Sequence, residues 1–330
     1  MKYALVLLTT VLIGTHATAR PDSLSYRNLV FEGGGVRGID YAGALSVLEE
    51  RGMVRPVERV GGTSVGAVTA PLLAVGYTAQ EMTAVLADLD VGQFNDGRWF
   101  FIGGFHRLTR YYGWYRGERF ERWLETIIAR KTGNSNLTFA RLHQRKGEPY
   151  KDLYVTGTDL TDQKAVVFSH ERTPDLPLKT AVRISMSVPL YFGAVFMNDQ
   201  HQVVRKPRKN QTYHVMVDGG LTANYPIGLF DIGGRPNPET LGLKLERPEQ
   251  IQQLGTGNGL ATYAIRNVNG YVSAFYNYVI ENLNPASASE KNRTIHISMD
   301  GIKPRVRRMQ TDEMQRLYQS GERAAQLFIR

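Results

Sequence analysis

Apolar residues fall in short runs along this chain, and most runs are closed by glycine or another turn residue. Leu29-Val30-Phe31 is short and β-prone, which predicts a strand ending just before Gly33. Ile39, Ala42, Leu45 and Leu48 then recur at helical spacing, with Gly52 as the stop. Glu58-Arg59-Val60-Gly61 is a weak strand by itself, but it leads into a glycine-flanked serine and a small-residue helix over 67–75 that contains Pro71. Thr78 with Glu81 predicts a capped helix over 79–89. A helix over 119–130 places Phe120, Trp123, Leu124 and Ile127 on one face. Residues 153–157 read as a strand that forms a hairpin with 165–168, and 178–186 as a helix. Further strands are predicted over 213–218, 240–245 and 294–299, with a long helical stretch over 260–282 and a terminal helix over 311–328. Strands alternating with helices predict an α/β fold.

Two stretches break the pattern. Residues 91–117 mix nine aromatic residues, among them Trp99, Phe101, Phe105 and Trp114, with glycines and with Arg98, His106, Arg107, Arg110 and Arg116. No clean period survives there. The mixture predicts an irregular lid or wall of a lipid-binding cleft, since aromatic rings and arginines suit a membrane interface. The rival reading is a loop pinned to the core by aromatic packing. Residues 198–212 are polar and basic and predict an exposed loop.

The N-terminus changes the setting. Residues 1–19 have a lysine at position 2, an apolar run over 4–13 and Ala17-Thr18-Ala19 before Arg20. This predicts a cleaved signal peptide, and the apolar run is too short to span a bilayer. Residues 20–330 would then form one exported domain, with a motif-bearing core over 28–230 and a C-terminal extension over 231–330. The net charge of +9 falls to +8 without the leader lysine, and it suits anionic membrane or envelope surfaces. No dense basic stripe or recognition motif points to nucleic acid. With no cysteine there is no disulfide scaffold and no thiolate metal site, and an exported chain of this kind fits a bacterial source.

Three motifs carry chemistry. Gly62-Thr63-Ser64-Val65-Gly66 is a G-x-S-x-G elbow, in which a tight strand-to-helix turn pushes Ser64 out at the end of the sheet. Gly33-Gly34-Gly35-Val36-Arg37-Gly38 follows the first strand, and its backbone N–H groups could face a tetrahedral oxyanion. Arg37 could steady this loop or meet an anionic head group. The loop also satisfies the dinucleotide fingerprint G-x-G-x-x-G, but the second strand ends in Gly61-Gly62-Thr63-Ser64 with no carboxylate for a ribose. The third motif is Asp218-Gly219-Gly220, where a strand ends and the glycines leave Asp218 projecting. Asp159 and Asp162 read as turn residues. His214 reads as a structural neighbour of Asp218.

In order and spacing these motifs resemble the patatin-like phospholipase family, and Ala181-Val182-Arg183-Ile184-Ser185-Met186-Ser187-Val188-Pro189 also looks like a family segment. The resemblance covers about residues 28–230. It implies a three-layer α/β/α sandwich with a mainly parallel central sheet, and a lipid acyl hydrolase of phospholipase A or lysophospholipase type. It implies Ser64 as nucleophile, Asp218 as base and the glycine loop as oxyanion hole, with no metal and no cofactor. Phospholipid or another fatty-acyl ester would be the substrate, met at a membrane surface. One alternative is a Ser64, Asp218, His296 triad, although His296 lies in an alternating strand-like run and the elbow comes early for an α/β-hydrolase. The other is a lipid-binding envelope protein with an idle site. The tyrosines of the 260–282 stretch read as packing rather than as an acyl channel.

Overall fold

The computed structural model describes residues 25–35, 37–97, 100–208, 210–253, 260–283, 290, 292–302 and 309–330. The predicted leader and Val36 lie outside them. Strand β1 (Asn28–Phe31) leads into α1 (Ile39–Glu50), and β2 (Arg59–Gly62) into α2 (Val65–Ala74). Next come α3 (Ala79–Ala87), α4 (Phe100–Tyr111), β3 (Gly113–Tyr115), α5 (Glu118–Thr132) and α6 (Phe139–His143). They are followed by β4 (Asp152–Asp159), β5 (Lys164–Phe168), α7 (Leu178–Ser185), β6 (Leu190–Phe192) and β7 (Val195–Met197). The last elements are β8 (His214–Asp218), α8 (Gly220–Ala223), β9 (Thr240–Glu246), α9 (Pro248–Gln252), α10 (Val268–Leu283), β10 (Thr294–Ser298) and α11 (Thr311–Ile329).

Eight strands form the central sheet in the order β10-β9-β1-β2-β4-β8-β7, with β5 paired to β4. The run from β10 to β4 is parallel, whereas β5, β7 and β8 join antiparallel. Alternation along β1 divides the layers: Leu29 and Phe31 enter the main core with α1 and α2 residues, while Val30 packs with Tyr154 and Phe230 on the other face. This is the three-layer α/β arrangement the sequence implied.

Local signals explain several boundaries. The Thr78 hydroxyl accepts the Glu81 N–H and the Glu81 carboxylate accepts the Thr78 N–H, a reciprocal cap at the start of α3. Helix α5 carries Glu118 and Glu121 in its first turn and Arg130 and Lys131 in its last, matching the helix dipole, and a left-handed Gly133 ends it.

The C-terminal helix belongs to the core. A Cβ on Gly321 of α11 would lie 1.9 Å from the Asp40 carbonyl oxygen, and one on Gly43 of α1 would lie 2.0 Å from that of Tyr318. The two helices meet backbone to backbone, so a methyl group at either place forces them apart. Gly43→Ala and Gly321→Ala are each expected to destabilise the fold by about 1–3 kcal/mol or more, read as a lower urea midpoint.

The irregular lid expected over 91–117 is instead a short 3-10 turn (Val91–Phe94), the regular helix α4 and strand β3. Arg98 and Trp99 fall outside the described residues. The helix was hidden because its apolar residues face solvent: Phe101, Ile102 and Phe105 are 77%, 78% and 66% exposed. Gly104 faces inward, where a Cβ would lie 2.6 Å from the Trp114 ring. The packing expected for the tyrosines of the 260–282 stretch is likewise overturned for Tyr271 and Tyr278, which are well exposed, as is Phe275.

Candidate active site

The register of the sheet brings the motifs together. Gly62 at the end of β2 lies opposite Val155 of β4, and Gly157, two residues on, lies opposite Asp218 at the end of β8. Strand β8 runs against β4, so Asp218 reaches the C-terminal edge of β2 from the far side. Ser64 turns back over the sheet at that level. Its Oγ donates a 2.9 Å hydrogen bond to Asp218 Oδ2.

The elbow is strained. Ser64 has φ of 52° and ψ of −120°, a conformation that costs a residue with a side chain on the order of 1–3 kcal/mol. Its surroundings hold it there. Ser64 N–H donates to Ser185 Oγ at 2.9 Å, and helix α2 starts at the next residue. A Cβ on Gly66 would lie 2.3 Å from the Phe31 carbonyl oxygen, so glycine allows α2 to press against the end of β1.

Asp218 is almost fully buried, and burial pushes its carboxyl up to about 7 from an ordinary value of 3.8. Hydrogen bonds from the Gly220 N–H to Oδ1, 2.7 Å, and from Ser64 oppose that shift. The backbone is fixed as well: Asp218 N–H donates to the Ser187 carbonyl at 3.0 Å, and its own carbonyl accepts from Thr158 Oγ1 at 2.9 Å. Behind Ser187 lies the buried Arg183, which donates to Ser187 Oγ and to the carbonyls of Arg116 and Gly193. Burial lowers this guanidinium to about 10.

The glycine loop lies against the serine, since a Cβ on Gly33 would come 3.2 Å from Ser64 Cβ. Its members differ in what they offer. Gly33 N–H is engaged by the Asn224 carbonyl at 2.9 Å, so it is not a donor for a ligand. Among the described residues, the N–H groups of Gly34 and Gly35 meet no protein acceptor. Arg37 is not a head-group contact: it is buried and pins the loop, with Nε donating to the Gly34 carbonyl at 2.9 Å and Nη1 to that of Ile302 at 3.1 Å. Gly38 begins α1.

Asn224 and Glu32 had no signal in the sequence. Besides its carbonyl bond, Asn224 donates Nδ2 to the Gly33 carbonyl and to Glu32 Oε1, both at 3.3 Å. Glu32 is held in turn by the Leu245 N–H at 2.8 Å, and burial raises its carboxyl well above the usual range. Asn224 thus ties the segment after Asp218 to the glycine loop, and Thr63 Oγ1 ties the same segment to the elbow through the Ala223 carbonyl at 2.6 Å. Asn224→Ala is expected to lower kcat on a soluble ester roughly tenfold with little change in KM, because the loop shifts while the serine stays.

His296 sits on β10, with β9 and β1 between it and β2, and its Nδ1 contacts Glu246 Oε2 at 2.7 Å. Three strand spacings, about 14 Å, separate those strands. His214 bridges carboxylates, at 2.7 Å from Asp159 and 3.2 Å from Asp199, and these contacts raise its pKa. Asp159 also accepts the N–H groups of Thr161 and Asp162, which is the turn chemistry expected. A second cluster joins His143, Asp152 and His170 at the opposite end of β4. Its two imidazoles stack 3.8 Å apart at 5°, so one ion cannot lie in the plane of both rings.

Fold and site together define an α/β protein with a serine–carboxylate pair at a strand-to-helix elbow. The family model for patatin-like phospholipase matches residues 29–231, and the chain belongs to that family. A Bacillus subtilis protein, YqhO, is 33% identical over 219 residues, 62% of this chain and 67% of its own length. A mimivirus protein, R571, is 30% identical over 207 residues, which is 62% of this chain and 61% of that protein, so the match spans under two thirds of that relative. A probable lipid hydrolase of invertebrate iridescent virus 6, 463L, is 27% identical over 204 residues, 62% of this chain and 63% of its own. Among solved structures, VipD from Legionella pneumophila superposes with a TM-score of 0.62 at 17% identity, over 92% of this chain and 67% of that one. That likeness supports the fold.

Proposed function

We propose that this chain is a lipid acyl hydrolase in which Ser64 is the nucleophile and Asp218 the general base. The contact of 2.9 Å between Ser64 Oγ and Asp218 Oδ2, inside a family of phospholipases, carries the reading. As Ser64 Oγ attacks the ester carbonyl carbon, its proton passes to Asp218. The carbonyl oxygen becomes an oxyanion facing the N–H groups of Gly34 and Gly35. Its collapse breaks the carbon–oxygen ester bond, and the leaving alcohol takes the proton from Asp218. Water then gives a proton to Asp218 and attacks the acyl-serine; the bond between the carbonyl carbon and Ser64 Oγ breaks, Ser64 Oγ takes the proton back from Asp218, and the fatty acid leaves. The positions of Glu246 and His296 argue against a triad through that histidine. Phospholipid or lysophospholipid is the substrate class. The leader-like residues 1–19 add export to the proposal.

The test is turnover of a p-nitrophenyl ester and of phosphatidylcholine vesicles by the full mature chain. Fatty acid release from both, absent in Ser64→Ala, is expected. Failure of wild type on both substrates would overturn the proposal.

A further inference from the structure

We propose that helix α4, with the β3–β6 pair beside it, is the surface that docks this protein on an anionic phospholipid bilayer. The inference rests on the lipid-hydrolase reading and names the face that meets the lipid. A helix in a globular protein normally turns its apolar stripe to the core. Helix α4 does the reverse. Phe101, Ile102 and Phe105, at 77%, 78% and 66% exposure, occupy one outward turn, and Gly104 and Arg107 face inward. His106, Thr109 and Arg110 share the exposed side, and α4 contains no carboxylate. A short helix with aromatic and aliphatic residues beside cations is an interfacial helix by composition.

The apolar surface continues toward the serine. Tyr112 follows α4 at half exposure, and Leu190, 68% exposed, is the β6 residue opposite Gly113 of β3. Leu190 lies four residues after Met186, whose sulfur is 3.7 Å from Ser64 Oγ. Four residues reach at most about 14 Å, so the outward apolar face adjoins the site of ester cleavage.

Charge decides what covers this face. Beside α4 and β3 lies a cavity of about 820 Å³ whose wall carries seven cations, among them the exposed Arg172, Arg205 and Lys206, against three carboxylates, Glu118, Glu121 and Asp175. A second copy of a +9 chain would bring like charges together across a symmetric contact. A bilayer with anionic head groups complements both the cations and the apolar ridge.

The experiment is co-sedimentation of Ser64→Ala protein with vesicles of phosphatidylcholine alone or with 30% phosphatidylglycerol. The substitution removes hydrolysis, so docking is read independently of turnover. Partitioning is expected to be at least ~10-fold stronger with phosphatidylglycerol, and most of that preference should vanish in 0.5 M salt. Phe101→Ser/Ile102→Ser/Phe105→Ser on the same background should weaken it ~100-fold, consistent with three buried side chains. In otherwise wild-type protein this triple change should leave soluble-ester turnover unaltered. Arg205→Glu/Lys206→Glu should abolish the phosphatidylglycerol preference. Equal binding by the triple variant, or none by the parent, would overturn the assignment. So would a dimer by light scattering that the triple variant dissociates, since the face would then join two copies. If docking holds while soluble ester is untouched by wild type, the hydrolase reading fails and the surface stands.

Discussion

Ser64→Ala is expected to lower ester turnover by at least ~10³-fold while leaving the unfolding midpoint close to that of wild type. Alanine keeps the backbone that holds the elbow, including the N–H bond to Ser185. It removes the hydroxyl that donates to Asp218 Oδ2 at 2.9 Å. Asp218→Asn should lower turnover by about 10²–10⁴-fold, the range for loss of a positioned general base. Asparagine can still accept the Gly220 N–H, so the site keeps its shape. His296→Ala should leave turnover within about twofold, because that imidazole is engaged with Glu246 on a distant strand. Steady-state rates on a soluble ester, paired with thermal melts, check all three. A dead but folded His296→Ala protein would contradict the dyad.

The pH profile is the second large effect. Burial raises Asp218 to about 7, and the base works when ionised. The value of kcat/KM should therefore fall tenfold per pH unit below 7, reaching about 100-fold at pH 5. Stability should move the other way. A carboxyl whose folded pKa exceeds its ordinary 3.8 stabilises the fold below that value, and the contribution is lost as pH rises through 7. The ionised, buried group then costs on the order of 1.4 kcal/mol per pKa unit. Asp218→Asn removes this cost, so the variant should be more stable than wild type at pH 8.5, with the gap closing toward pH 4. Urea midpoints at both pH values read it directly. An inflection near 4 in the rate profile would mean a solvated carboxylate and would contradict the buried base.

Much of this was legible in the residues. The strand–loop–helix of β1 and α1, the elbow and the Asp-Gly-Gly turn are local, and glycine marks each backbone approach. The capping pair of Thr78 and Glu81 is local too. What escaped was tertiary. Asn224 clamps the glycine loop from 191 residues away, and Ser185 holds the Ser64 N–H from 121 away. Asn224 sits in no pattern a linear reading can score, and the segment 181–189 marks Ser185 without showing what it holds. Helix α4 escaped for a different reason. Periodicity reveals a helix through the face it buries, and α4 buries a glycine and an arginine while exposing Phe101 and Phe105. The short strands β3, β6 and β7, three residues each, carry too few positions to alternate.

The most direct test of the central claim is active-site labelling. The protein is treated with a long-chain fluorophosphonate, digested, and the adduct mapped by mass spectrometry. Stoichiometric labelling at Ser64, lost in Asp218→Asn and slowed below pH 7, is the predicted result. No adduct on folded wild type, or an adduct on another serine, would contradict it.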